Sequence, residues 1–216
     1  GFLSTTQYVD VNDGPEFSYP DPQSVAEDTD LVFSAAGGNP LAVSDEDAGD
    51  AEVGMRIEAN YGLLTLPETT GLTFLFGSSN GSHSLTVLGT IADINTALDG
   101  FIYSPLADYH GADTLSLTAN DLGHSGPGGE QMSFATVEIA INPVNDAPQL
   151  SVPPDQTTPF NTTLFFSAAN DNAIQAEDVD AGTAEIGLLL NLTGGTFSLA
   201  QTTGLTTCGE LARAEP

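Results

Sequence analysis

Val11-Asn12-Asp13-Gly14-Pro15 returns 133 residues later as Val144-Asn145-Asp146-Ala147-Pro148. The same offset then holds without a gap. Leu31-Val32-Phe33-Ser34-Ala35-Ala36 matches Leu164-Phe165-Phe166-Ser167-Ala168-Ala169, and Asp45-Glu46-Asp47-Ala48-Gly49 matches Asp178-Val179-Asp180-Ala181-Gly182. Thr69-Thr70-Gly71-Leu72-Thr73 matches Thr202-Thr203-Gly204-Leu205-Thr206. Of the 63 positions from Val11 to Thr73, 28 are identical to their partners, too many over an ungapped stretch for chance. A chain built this way must fold as repeated units, each a copy of one supersecondary plan.

The offset divides the chain into three parts. Residues 1–11 align with the end of a repeat, and are expected to be the terminal strand of a preceding repeat or a donor strand. Residues 12–144 are one complete repeat, and residues 145–216 a partial second repeat with an atypical tail. After Thr206 the match stops, and the tail holds Cys208 and Arg213. Two readings of it stay open: a truncated or frame-shifted end, or an ordinary polar tail. The lone Cys208 cannot form an internal disulfide.

Charge removes several classes of function. The chain has 2 basic residues, both arginine, against 30 acidic ones, for a formal net charge of −28. Only 15% of residues are charged, below the roughly 25% of an average soluble protein, so the imbalance reflects missing bases. Two arginines cannot neutralise a nucleic-acid backbone, and anionic membranes would repel the chain. No apolar run approaches the ~18 residues of a bilayer span. Such a chain should attract cations, whether at built sites or, in a salt-adapted protein, as a diffuse atmosphere.

Alternation of apolar and polar residues points to an all-β fold. Thr114–Thr118 and Ala135–Ile141 have period two, with Val137, Ile139 and Ile141 on one face. Leu63–Leu66, Leu72–Phe76 and Ser84–Val87 are short apolar runs bounded by turn residues, the pattern of a β-sandwich. One helix is expected. Ile91, Ile94 and Leu98 have helical spacing, Thr90 is an N-cap candidate and Gly100 a stop. The Gly-rich stretch Gly123–Glu130 lies between two strands and reads as a hairpin loop, since it lacks the lysine and helix of a phosphate cradle.

Acidic residues recur at fixed places in this pattern. Asn12-Asp13 and Asn145-Asp146 stand at the repeat boundaries. Asp45-x-Asp47 and Asp178-x-Asp180 follow the second predicted strand of each repeat. Glu27-Asp28 lies early in repeat one, and Asp121 ends the strand 114–120. A D-x-D pair in a loop can turn two carboxylates toward one calcium ion, which takes about 6–8 oxygen ligands. The alternative is plain loop charge, because Asp and Asn are common turn residues.

Taken in order, Val25-Ala26-Glu27-Asp28, Asp45-Glu46-Asp47-Ala48-Gly49, Thr118-Ala119-Asn120-Asp121 and Val144-Asn145-Asp146-Ala147-Pro148 resemble a cadherin-like repeat. More closely, they resemble the "VNDAP" tandem repeats of large bacterial extracellular adhesins. Ile94–Leu98, Tyr103-Ser104-Pro105 and Gly111–Leu115 add to the likeness, which covers about residues 11–207. The resemblance implies tandem cadherin/immunoglobulin-like β-sandwich repeats with Greek-key character and calcium at their junctions. Carried onto this sequence, one junction would use Glu27, with Asp108 or Asp113 as further candidates, then Asn145, Asp146, Asp178 and Asp180. The junction before repeat one would use Asn12, Asp13, Asp45, Asp47 and Asp121. Repeat two departs from the pattern: Phe160-Asn161 stands where repeat one has Glu27-Asp28, which weakens any site beyond it.

Other constellations carry less. Asn80, Asn161 and Asn191 open N-x-S/T tripeptides and are candidate glycosylation sites in a secreted protein. Gly77–Gly81 matches G-x-S-x-G with His83 nearby, but a strand rather than a helix is expected to follow, so it reads as a turn. His110 and His124 read as exposed loop residues, and no histidine pair has zinc spacing. No enzyme is expected. Tyr61, Phe74, Phe76, Phe101 and Tyr103 lie in or beside strand patterns and are expected in the core.

Two functions follow as expectations. The first is an extracellular or cell-surface structural repeat protein of a fibre, filament or adhesin stalk. Calcium would stiffen it at repeat junctions, and head-to-tail strand addition is a candidate mode of assembly. Its partners would be copies of itself or neighbouring repeats. The alternative is an adhesive module recognising a surface glycan or protein, marked by exposed aromatic faces.

Overall fold

A computed structural model describes residues 11–124 and 127–206. The expected terminal strand over 1–11, Val11 excepted, and the tail from 207 onward, with Cys208, lie outside the described residues, as do residues 125 and 126 of the expected hairpin loop. The chain divides into two compact units, Gly1–Val144 and Asn145–Pro216. The fold is all-β with one α-helix among the described residues, and no helix there is long and apolar enough to cross a membrane.

The first unit contains β1 (Glu16–Ser18), β2 (Gln23–Ala26), β3 (Leu31–Phe33), β4 (Ala42–Ser44), β5 (Glu52–Glu58), β6 (Gly62–Thr65) and β7 (Thr73–Phe74). It continues with β8 (Ser84–Thr90), α1 (Ile91–Leu98), β9 (Phe101–Pro105), β10 (Gly111–Asn120) and β11 (Met132–Asn142). A six-stranded sheet runs β2-β11-β10-β5-β8-β7, a three-stranded sheet runs β3-β9-β6, and β1 pairs with β4. All these pairs are antiparallel except β2 with β11.

Period two decides which side chains meet. Val53, Met55 and Ile57 of β5, Leu85 and Val87 of β8, Leu115 and Leu117 of β10, and Val137, Ile139 and Ile141 of β11 are all buried in one cluster. Phe33, Leu64, Phe101 and Tyr103 of the three-stranded sheet join the same core, with the Phe33 and Phe101 rings 5.8 Å apart. The helix forms where expected. The Thr90 side chain accepts from Asp93 N, and Ile94, Ala97 and Leu98 face inward. Gly100 follows at φ 101° and donates to the Phe33 carbonyl, which ties the helix exit to β3. Gly62 cannot carry a side chain, because a Cβ there would lie 2.2 Å from the Tyr103 ring.

Three of the expected strands lengthen, Leu63–Leu66 shifts by one residue to become β6, and one shrinks. β10 and β11 run well beyond their alternating centres as an antiparallel hairpin. The run Leu72–Phe76 keeps only a two-residue strand, because Phe76 turns at φ 55° and leaves the sheet. Of the five aromatics expected in the core, Phe101 and Tyr103 are buried and Phe74 is half-buried, whereas Phe76 is 93% exposed and Tyr61 is exposed. Tyr61 stacks on Tyr109 at a centroid distance of 4.2 Å.

One buried polar group anchors this core. Asp113 is 5% exposed, and its carboxylate accepts from Asn60 N, Tyr61 N, Thr114 N and the Tyr103 hydroxyl. Four donors satisfy a charge that would be prohibitive alone. Burial, then the hydrogen bond to Asp113 and its charge, push the Tyr103 hydroxyl far above its ordinary pKa, so it remains a donor.

The second unit is smaller in its regular structure. Its strands are β12 (Gln149–Ser151) and β13 (Gln175–Glu177), with a 3-10 turn over Ala168–Asn170. These strands pair antiparallel as Gln149↔Glu177, Leu150↔Ala176 and Ser151↔Gln175. Subtracting 133 gives Glu16↔Ser44, Phe17↔Val43 and Ser18↔Ala42, the observed register of β1 with β4. The repeat in sequence is thus a repeat in strand pairing.

The Asp113 network predicts an order of stability losses. Asp113→Ala should cost about 2–4 kcal/mol, since it strands several buried donors. Tyr103→Phe removes one hydrogen bond and should cost about 1 kcal/mol. Urea unfolding of the two variants beside the parent chain checks this, and equal losses would contradict it.

Candidate metal centre

The β1–β4 pair brings the boundary residues of repeat one beside its D-x-D loop. Asp13 lies just before β1 and Asp47 just after β4, and Asp13 N donates to Asp47 Oδ2 at 2.9 Å. Asp45 folds the loop back on itself. Its Oδ1 accepts from Asp47 N at 3.1 Å and from Ala48 N at 3.0 Å, an Asx turn of the kind short acidic side chains favour. Each aspartate thus fixes one oxygen. The others, Asp45 Oδ2 and Asp47 Oδ1, are buried atoms with no hydrogen-bond partner.

A buried carboxylate oxygen without a donor is costly unless a cation satisfies it. The donor set here is oxygen only, which suits a hard cation such as calcium or magnesium rather than a thiolate- or imidazole-binding metal. The chain's only described arginine, Arg56, is engaged with Glu58 at 2.6 Å and offers this loop no counter-charge. Among the described residues, the acidic groups of three whose oxygens lie close enough to hold a metal ion do not include Asp13, Asp45 or Asp47, and are drawn from Glu27, Asp28, Asp108, Asp146 and Asp180.

The same loop is built again in the second unit. Asp146 N donates to Asp180 Oδ2, and Asp178 Oδ1 accepts from Asp180 N at 3.1 Å and Ala181 N at 3.0 Å. Asn145 donates from its side chain to the Asp146 carbonyl at 2.8 Å. The correspondence extends past the acids. Ser34 N→Asn39 Oδ1 recurs as Ser167 N→Asn172 Oδ1, and Asn39 Nδ2→Gln23 Oε1 recurs as Asn172 Nδ2→Gln156 Oε1.

Asn12 and Asp121 form a separate anchor. Asn12 Nδ2 donates to Asp121 Oδ2 and to the Gly129 carbonyl at 2.8 Å. Asp121 Oδ1 accepts from Gln131 N at 2.7 Å and Gly123 N at 2.9 Å. This joins the entry segment to the β10–β11 loop. Burial works to raise the Asp121 pKa, but the backbone donors of Gln131 and Gly123, the Asn12 amide and nearby His124 hold it below the ordinary carboxylate range. Both oxygens are engaged by protein donors, so Asp121 differs in kind from Asp45 and Asp47.

Glu27 sits at the other end of repeat one. Its N–H donates to the Asn142 carbonyl at 2.9 Å, extending the pairing of β2 with β11. Its Oε1 accepts from Val144 N at 2.6 Å, while Oε2 is buried without a hydrogen bond, 3.5 Å from His110 Nδ1. The entry segment meets the start of β11, where Ser133 donates to the Pro15 carbonyl, and Glu27 meets its end. Eleven residues of strand separate them by about 33 Å. Chain entry and chain exit therefore lie at opposite ends of the unit, each with a buried acidic oxygen that makes no hydrogen bond.

The remaining candidates differ. Asp113 is engaged by four donors, as described above. Asp28 Oδ1 accepts from Asp108 N at 3.1 Å, and both residues have left-handed backbones. The Asn80 carboxamide clamps both backbone groups of Leu66, whereas Asn161 and Asn191 are exposed. His83 Nδ1 meets the Gly62 carbonyl at 2.8 Å, and the segment Gly77–Gly81 passes from β7 to β8 through turns with no helix. Sequence reasoning missed the anchoring role of Asp113. Its signal was present, because Asp113 shares the period-two face of Leu115, Leu117 and Ala119.

Asp121 gives a pH-dependent prediction. Its folded pKa lies below the unfolded value near 3.8, so its stabilisation is complete above that value and is lost as pH falls through the folded one. Acid unfolding of the parent chain should therefore steepen below about pH 4 relative to Asp121→Asn. Asp121→Ala should also cost about 1–3 kcal/mol at neutral pH by stranding buried N–H groups. Thermal melts between pH 2 and 7 measure both effects; superimposable profiles would contradict them.

No family model, no curated protein and no solved structure matches the chain.

Proposed function

We propose that the chain is part of an extracellular structural protein, a fibre, filament or adhesin stalk of tandem cadherin-like β-sandwich repeats. In this reading calcium binds at the repeat boundaries and stiffens them. The observation that carries it is the acidic boundary loop built twice, 133 residues apart, with the same strand register and hydrogen bonds. A loop that only needed to turn would not require its carboxylates to hold backbone N–H groups in both copies while leaving oxygens buried and unsatisfied in repeat one.

Asp13, Asp45 and Asp47 would supply oxygens at the entry of repeat one, with Asn12 and Asp121 shaping the approach. Glu27 would supply oxygens at its exit, and Asn145, Asp146, Asp178 and Asp180 at the entry of repeat two. The ion would neutralise carboxylates that otherwise repel one another. Within repeat one, entry and exit lie at opposite ends of β11, as a fibre-forming repeat requires. The sequence resemblance to adhesin repeats and the absence of lysine, which leaves few native counter-charges, support the same reading.

One observation favours the second reading, an adhesive module. Phe76 projects almost fully exposed from a turn held at φ 55°. An exposed aromatic is a contact group for a sugar ring or an apolar side chain. If this reading holds, Phe76→Ala abolishes binding to glycan-coated surfaces and leaves the melting temperature unchanged.

The structural reading predicts a calcium-specific gain in stability. At about 100 times its Kd, an ion that binds only the folded state adds about 2.7 kcal/mol. For a unit of this size that corresponds to roughly 5–10 °C in melting temperature. Calorimetric scans in calcium, in magnesium and in EDTA at one ionic strength should show it for calcium, and Asp45→Asn with Asp47→Asn should reduce it. An equal rise with every salt would instead indicate general screening and overturn the proposal.

A further inference from the structure

Tension on a repeat arrives through the chain itself, so the segments at Asn12 and Val144 carry any load on repeat one. The first of them follows β11 along its length. Ser133, at the start of β11, donates to the Pro15 carbonyl, β1 lies beside β11, and β2 pairs with its end. Residues 12–26 thus run alongside β11 in its own direction, from one end of the strand to the other.

The pairing of β2 with β11 is parallel, with Gln23↔Ile139, Ser24↔Ala140, Val25↔Ile141 and Ala26↔Asn142 in register. β2 stands at the edge of the six-stranded sheet, and β11 is its only neighbour there. Three further hydrogen bonds fasten this end. Glu27 N donates to the Asn142 carbonyl at 2.9 Å, and Asn142 Nδ2 donates to Ser24 Oγ at 2.7 Å. Val144 N donates to Glu27 Oε1 at 2.6 Å. On the inward side, Val25 and Ile141 join the core.

Direction decides how such bonds break. Two neighbouring strands that run the same way, one pulled from its start and the other from its end, must slide past each other. Every bond between them is then loaded at once, and all must fail together. A pull across the strands instead loads the bonds one after another, as in unzipping. Tension on Asn12 out of the entry end and on Val144 out of the exit end is the sliding case. Antiparallel first and last strands would bring both ends to one side and give the unzipping case.

We propose that β2 and the end of β11, fastened by Glu27, Asn142 and Ser24, form a load-bearing clamp. It makes repeat one resist tension along the chain much better than tension across its sheet. The inference deepens the structural reading and rests on it, because only a fibre or stalk under tension has a use for such a clamp. The clamp itself consists of backbone and side-chain hydrogen bonds and needs no ion.

Pulling single molecules of the intact chain tests this, with Cys208→Ser in every version. Handles at Val11→Cys and Val144→Cys load the unit along β11. Handles at Asp21→Cys and Phe76→Cys lie beside β2 and β7, at opposite edges of the six-stranded sheet, and load it across the strands. Forced unfolding follows the unfolding barrier, so at one loading rate the axial rupture force should be at least ~2-fold the transverse one. Asn142→Ala removes the exposed bond to Ser24; it should lower the axial force and leave the transverse force unchanged. Equal forces in the two directions, or an Asn142→Ala variant that weakens both alike or neither, overturn the proposal. The same pulls in calcium and in EDTA distinguish this failure from failure of the calcium reading. A ratio near one in both media sinks the clamp alone. A ratio that persists in both, with no calcium-specific gain in force, sinks the calcium reading alone.

Discussion

A carboxylate taken out of water must find hydrogen-bond donors or a cation, and this chain has almost no basic side chains to offer. The first unit meets that constraint in two ways. Asp113 and Asp121 sit where backbone N–H groups converge on them, so protein donors alone satisfy them. Asp45, Asp47 and Glu27 each fix one oxygen on the backbone and leave another buried without a hydrogen bond, that of Glu27 lying 3.5 Å from His110 Nδ1. The first group holds the unit together. The second lies at the two ends where the chain enters and leaves, and is where a cation would act.

The two groups are coupled through β11. Its inward residues Val137, Ile139 and Ile141 anchor the core, its start holds the entry segment, and its end holds Glu27 through β2. Packing in the middle of the unit therefore fixes the positions of acids at its extremes. That coupling gives a physical reason for a long, regular hairpin of β10 and β11: a shift of one residue in its register would turn Asp113 outward and move both ends.

Much of this was legible in the sequence. The ungapped offset of 133 became the matching registers of β1–β4 and β12–β13. Helix α1 could be read from Thr90, Ile94, Leu98 and Gly100 because capping and spacing are local. The D-x-D loop could be read because an Asx turn needs only neighbouring residues. What was not legible depends on distant partners. Asp121 looks like any strand-ending acid until Asn12, 109 residues away, is seen to donate to it. Phe76 follows an apolar strand pattern, and only its left-handed backbone turns it out to solvent.

The central claim is that the orphaned oxygens of Asp45 and Asp47 belong to a cation site. Isothermal titration of calcium into the intact chain after chelation tests it most directly, beside the same titration of the Asp45→Asn, Asp47→Asn double variant. The account predicts saturable calcium binding, with at least one fewer site in the double variant and little heat from magnesium. Identical isotherms for the two proteins, or no saturable heat in either, would contradict it.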